Sequence, residues 1–245
     1  MELTISAPPT AQHQAHPQER YPPSSAAPRQ SRQQERYPAP PTAQHQAHPQ
    51  ERYPSPSAAQ RQAYRDATHQ EAILEAIEVI EKRTCLKFIA ANETSNHYVA
   101  ISSESGGCYT AVGYQAKVQT MNLENYPVGE GCFRPGTILH EFMHALGFYH
   151  QQSDSDRDSY VTVHYENITP GKEFNFVKYS RTIVTDFNVG YDYDSCLHYR
   201  SRAFSANGKD TIIPLDSTAR IGQREYLSEK DVAKINIMYK CPILI

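Results

Sequence analysis

The sequence predicts an α+β domain carried behind a disordered N-terminal arm. Three observations lead there. Composition breaks near residue 62: 12 of the 17 prolines lie in residues 1–60, and the first glycine of the chain is Gly106. Beyond the break, β-forming residues gather in short runs between helical patterns. Those runs come early and are followed mostly by irregular chain between helices, which suggests segregated rather than alternating elements. At 245 residues, the chain is long enough for one domain with a sizeable core.

Residues 1–62 contain no Val, Phe or Cys, and their only large aliphatics are Leu3 and Ile5. Gln-Glu-Arg-Tyr-Pro recurs at 18–22, 34–38 and 50–54, a period of 16. Such a segment buries too little apolar surface to offset chain entropy, so it is expected to be disordered with polyproline II character. The expected organisation is therefore an arm over 1–62 and a folded domain over 63–245. His13, His16, His45 and His48 lie in the arm as pairs three apart. Such pairs bind metal weakly, and a duplicated low-complexity tract explains them better. The first seven residues lack the basic start and apolar run of a signal peptide.

In the folded part, residues 66–83 read as a helix. Asp66 is its expected cap, and Ile73, Ile77 and Ile80 share one face. Strands follow at 86–91, 98–102, 109–112 and 118–123, with a Gly-Gly turn at 105–108. A second helix is expected over 137–148. Asn207-Gly208 reads as the turn of a hairpin between 203–205 and 211–213. Ser228 with Asp231 reads as a capping box for a last helix through Lys240.

The net charge is −3, divided as +3 over residues 1–65 and −6 over the remainder, which is no nucleic-acid footprint. No apolar stretch approaches 18 residues, so a transmembrane helix is excluded. The expectation is a monomer that engages neither nucleic acid nor membrane.

The chemistry lies in His140-Glu-Phe-Met-His144-Ala-Leu-Gly147-Phe-Tyr-His150. His140 and His144 are four apart, so on a helix both imidazoles leave the same face. Gly147 can end that helix in a left-handed conformation and let the chain bring His150 in as a third ligand. Three nitrogens suit one Zn²⁺ per chain and leave a coordination position for water, as a catalytic site requires. Glu141 adjoins the first ligand and can take that water's proton. The competing reading, a core helix with incidental histidines, needs all five positions to coincide by chance.

This segment resembles the extended zinc signature of the metzincins, and Gly147-Phe148-Tyr149-His150 is similar to the astacin family in particular. Other stretches agree: Asp156-Arg157-Asp158-Ser159-Tyr160-Val161, Ser195-Cys196-Leu197-His198-Tyr199 at the family's Met-turn, Ile221-Gly222-Gln223-Arg224, and Tyr239-Lys240-Cys241. The resemblance covers about residues 66–245. It implies a zincin-like fold of two subdomains with zinc in the central cleft. A helix-rich upper subdomain would hold a mostly parallel sheet, and an irregular subdomain would lie below.

By the same resemblance, the chain is a zinc endopeptidase with Glu141 as general base. Tyr199 is implied as an additional zinc ligand that also hydrogen-bonds the transition-state oxyanion. The stretch 108–113 resembles the edge strand that pairs with an extended peptide substrate. Cys85 would pair with Cys241 and Cys108 with Cys132, leaving Cys196 as a buried free thiol. These cysteines and the family imply secretion, although no signal peptide is visible. Asn92-Glu-Thr94 and Asn167-Ile-Thr169 are glycosylation sequons.

Four features depart from the family, three of them single positions. Gln151 replaces a Glu, Asp154 stands where many members have Arg, and Leu197 replaces the Met of the Met-turn. No Trp-bearing first strand precedes the first helix. The family Glu answers a buried ammonium, and nothing in the sequence is expected to supply one, so restoring Glu at 151 is expected to bring no gain. The missing strand and Gln151 motivate an alternative: a zinc-binding but inactive extracellular interaction protein.

Overall fold

The computed structural model describes residues 1–6 and 58–242. Most of the expected arm, residues 7–57, lies outside the described residues, as do its four histidines. Ten regular elements follow in chain order: β1 (Glu2–Ser6), α1 (Ala58–Arg83), β2 (Lys87–Ala90), β3 (Val99–Ser102), β4 (Cys108–Thr110), β5 (Gln119–Leu123), α2 (Pro135–Ala145), β6 (Val161–Val163), β7 (Ile212–Pro214) and α3 (Glu229–Met238).

Both ends of the expected arm are corrected. Helix α1 starts at Ala58, so Asp66 lies within it and does not cap it. At the far end, Glu2–Ser6 forms a strand inside the main sheet, whose order is β2-β1-β3-β5-β4. Leu3 stands opposite Ala90 on one side and Val99 on the other. The backbone NH of Ile101 donates to the Met1 carbonyl at 2.8 Å, and that of Ala91 to Glu2 at 3.0 Å. A strand does therefore fill the place expected to be vacant. Leu3, only 6% exposed, joins the core, and Ile5 packs against it.

The sheet is not mostly parallel. β1 runs antiparallel to both neighbours, β4 runs antiparallel to β5, and only β3 and β5 are parallel. Connection length gives part of the reason: only residues 111–118 join β4 to its neighbour β5, too few for the crossover that a parallel pair needs.

Ile73, Ile77 and Ile80 of α1 are buried as their spacing predicts. α1 packs on α2, and α2 packs on β4 and β5. Pro135 opens α2 at a position where its missing NH costs nothing. A Cβ on Gly136 would come within 2.0 Å of the Arg224 carbonyl carbon, so only glycine allows this approach. Every residue from Gly136 to Ala145 is buried, which makes α2 the central rod of the domain.

Two hydrophobic cores are present, but they do not divide N-terminal from C-terminal chain as expected, because Cys196, Leu197, Leu227, Val232 and Ile235 join the first. The upper one includes Leu3, Ile80, Met121, Phe142 and Ile235. The lower one gathers Val161, Ile168, Phe176, Tyr191, Tyr199 and Ile212. The expected hairpin around Asn207-Gly208 is not formed. β7 pairs antiparallel with β6 instead, and Ser205 bridges to Ile168. Thr211 and Ile212 turn back to donate to the Ser201 carbonyl, at 2.7 and 3.0 Å. The capping box at α3 is present, with Ser228 Oγ accepting from the Asp231 NH.

Disulfides join Cys85 to Cys241 and Cys108 to Cys132. Cys196 is free and fully buried, and burial, with nearby Asp231 adding to it, pushes its thiol pKa well up. Among the described residues, no helix is long and apolar enough to cross a membrane.

Candidate active site

α2 carries His140 and His144 one turn apart on a buried face. Gly147 follows at φ +105°, a conformation that L side chains rarely adopt. Its NH closes on the His144 carbonyl at 2.8 Å. The chain then turns, and His150 arrives beside the other two. His144 Nε2 lies 3.1 Å from His140 Nε2 and 3.2 Å from His150 Nε2.

These spacings suit one ion. Nitrogens bound tetrahedrally at 2.0–2.1 Å lie roughly 3.3 Å apart. The tautomers are set from outside: His140 Nδ1–H donates to the Cys196 carbonyl at 2.7 Å, and His144 Nδ1–H to the Phe148 carbonyl at 2.8 Å. A carbonyl can only accept, so each Nε2 keeps its lone pair for the common centre. Burial, then the Arg224 charge and the neighbouring histidines, holds His140 well below the usual imidazole range. His150 is held down by burial first, then by His144 and Arg224. Neutral imidazoles are what a metal requires.

Glu141, also on α2, is 3% exposed. Tyr199 lies in the lower core at 1% exposure, its ring centroid 4.5 Å from that of His150. Its backbone NH donates to Gln152 Oε1 at 3.3 Å. β4 is the last strand of its sheet, and Gly113 beyond it donates to the His144 carbonyl at 2.8 Å. Among the described residues β4 thus has a strand on one side only, and the chain leaving it meets α2 at His144.

Leu197 is buried in the upper core at 3% exposure beside Cys196. The two sequons differ: Asn92 forms a surface turn with Thr94 and Ser95, whereas Asn167 is buried and bonded to the Asp210 carbonyl and to Asn207.

The expectation at Gln151 fails. Lys234 of α3 is buried and donates to Gln151 Oε1 at 2.7 Å. A cation does answer this position. Sequence reasoning missed it because a lone Lys on a helix ordinarily faces solvent. It likewise saw Asp231 only as a cap and gave Arg224 no role. Asp231 also accepts from Ser195 Oγ at 2.6 Å and from the Cys196 NH at 2.9 Å. Buried Arg224 donates to the His198 carbonyl at 3.0 Å.

Comparison with known proteins decides the family, since residues 58–240 match the model of the peptidase family described as Astacin. The chain belongs to the astacin family. It is thereby a zinc metalloendopeptidase, and zinc is its cofactor. Among the relatives of this astacin is Seminal metalloprotease 1 of Drosophila melanogaster. The two are 47% identical over 184 residues, which cover 74% of this chain and 73% of that protein. Zinc metalloproteinase nas-13 of Caenorhabditis elegans is 42% identical over 170 residues, 69% of this chain and 36% of that one. This astacin thus matches most of the first relative and about a third of the second. Among solved structures it is similar to High choriolytic enzyme 1, a hatching enzyme zinc-protease from Oryzias latipes. The TM-score is 0.65 at 36% identity, over 71% of this chain and 84% of that chain.

Proposed function

We propose that the chain hydrolyses internal peptide bonds of an extended polypeptide held against β4, with zinc on His140, His144 and His150. The observation that carries this is the convergence of three imidazole Nε2 atoms, from buried His140 and His144 and half-buried His150, on the helix that carries Glu141 and beside the chain that leaves edge strand β4. When bound, zinc supplies Lewis acidity to the scissile carbonyl and acidity to a coordinated water.

The remaining chemistry belongs to the chain. Glu141 takes a proton from the attacking water at its carboxylate and later passes it to the leaving amine. Tyr199 serves as a further ligand at rest, and its hydroxyl donates to the oxyanion in the transition state. The backbone of β4 binds the substrate main chain by strand addition, which favours extended peptides over any one side chain. The two disulfides support an extracellular, oxidising compartment.

The alternative of an inactive zinc-binding protein loses its two supports, because β1 occupies the vacant strand position and Lys234 answers Gln151. The test is cleavage of a generic protein substrate by the refolded full chain, with and without a chelator. Activity that vanishes with chelation and returns with zinc is expected. Zinc-loaded, folded chain without activity would favour the interaction protein.

A further inference from the structure

Outside the catalytic groups, one face of α3 is turned toward the site. Asp231 and Lys234 are three residues apart, so their side chains leave the helix on the same side. Both reach toward the zinc ligands. Asp231 holds the Cys196 NH at 2.9 Å, and the Cys196 carbonyl fixes His140 Nδ1 at 2.7 Å. Lys234 holds Gln151 Oε1 at 2.7 Å, and Gln151 directly follows His150. The Gln151 NH also donates to the Leu197 carbonyl at 3.2 Å, so this residue joins the two stretches of chain that flank the site.

We propose that Lys234 is a positioning residue for His150, its buried ammonium tying the turn at Gln151–Ser153 to α3 so that the third imidazole stays aimed at the ion. This rests on His150 being a zinc ligand. The fold gives reasons to think the tie is specific. Lys234 is 6% exposed, and an ammonium in that setting is costly unless held by oriented partners. The carboxylates of Asp231, Asp192, Asp154 and Asp186 favour its charge against the pull of burial. Beyond His150, the backbone has only a three-residue helical turn of its own. A tether from another element is the available means of fixing its register. A pocket of about 80 Å³, partly open to solvent, borders His150, Gln151, Asp154 and Lys234.

Outer partners of metal ligands commonly change metal affinity or activity by 10- to 100-fold when removed. Lys234 acts one residue further out, so the expected effect is near the lower bound. The test uses the zinc-loaded full chain with Lys234→Met, Gln151→Leu and the double variant. Three quantities are read: the rate of zinc release to a chromogenic chelator, the visible spectrum of the Co²⁺-substituted protein, and the thermal midpoint.

Each single variant is expected to release zinc about tenfold faster and to shift the Co²⁺ bands. The double variant should lie within about twofold of either single, because both cut the same tie. Gln151→Leu reads the tether from its other end, so the test stands if one variant fails to fold. A lowered thermal midpoint with parental zinc release and Co²⁺ bands would overturn the proposal, as would effects that multiply in the double variant. A parent chain that binds no zinc would overturn the site itself and the tether with it. A zinc-loaded, active parent with an unresponsive Lys234→Met would overturn the tether alone.

Discussion

Leu3→Ala tests whether the far end of the chain belongs to the fold. Leu3 is 6% exposed and joins the core that contains Ile80, Val99 and Met121. Removing buried atoms from a leucine costs their transfer free energy plus a cavity term, commonly about 2–5 kcal/mol. Leu3 lies near a strand end, where neighbours can relax, so about 2–3 kcal/mol is expected. For a domain of this size that lowers the thermal midpoint by roughly 5–10 °C. Ser6→Ala, at the other end of the same strand, should stay within about 0.5 kcal/mol. The assay is thermal and urea unfolding of the zinc-loaded chain with both disulfides intact. Deletion of residues 1–62, which the composition suggests is harmless, should destabilise more than Leu3→Ala, since it also strips two strands of their partner and removes the start of α1. A Leu3→Ala midpoint within about 1 °C of the parent, a fraction of the shift expected from cavity formation, would refute the placement of β1 in the sheet.

Glu141→Ala should retain about one zinc per chain and lose peptide cleavage, because the base goes while the ligands stay; zinc analysis beside a fluorogenic peptide assay checks both, and cleavage at the parental rate would exclude Glu141 as the base. Gln151→Glu should be tolerated now that Lys234 faces it. In that background Lys234→Met should cost about 3–5 kcal/mol, more than in the parent, as unfolding of the four proteins in the cycle would show. His198 has its pKa pushed down to about 4 by burial, against about 6.5 unfolded. Its neutral form therefore stabilises the fold above about pH 6.5, and that contribution, at most about 3 kcal/mol, is lost as pH falls toward 4. The stability gap between the parent and His198→Asn should accordingly narrow from about pH 7 to about pH 4.5, and a constant gap would contradict the assignment. Replacing Cys85 and Cys241 by Ala opens a link spanning a separation of 156 residues and should cost up to about 5 kcal/mol by chain entropy, read from urea midpoints.

The convergence of the three histidines was legible because its information is local. Two histidines four apart need only a helix to converge, and a glycine three further on needs only a left-handed residue. The box at Ser228 and Asp231 was legible for the same reason. β1 was not. Glu-Leu-Thr-Ile-Ser does alternate polar and apolar residues, but only two aliphatics carry the pattern at the head of a proline-rich segment, and a five-residue strand is decided by its partners more than by its own propensities. Asn207-Gly208 is sound turn chemistry, yet the segment after it finds β6 in place of its expected neighbour. Lys234 was hidden by distance, since its acceptor lies 83 residues away. Tertiary pairing of this kind leaves no mark on either residue's surroundings in the sequence.

β1 also sets an order of events during synthesis. It is made well before its partners, since β2 starts at Lys87 and β3 at Val99. At about 5–20 residues per second, that is a wait of roughly 5–20 s. Throughout it, neither β2 nor β3 is available to β1. Later, β2 and β3 present unpaired edges to any other chain until β1 returns across the intervening sequence. Closure of so long a loop is entropically slow. Completion of the sheet is therefore a step at which nascent chains can exchange strands with one another, and a crowded polysome is where that exchange would be felt.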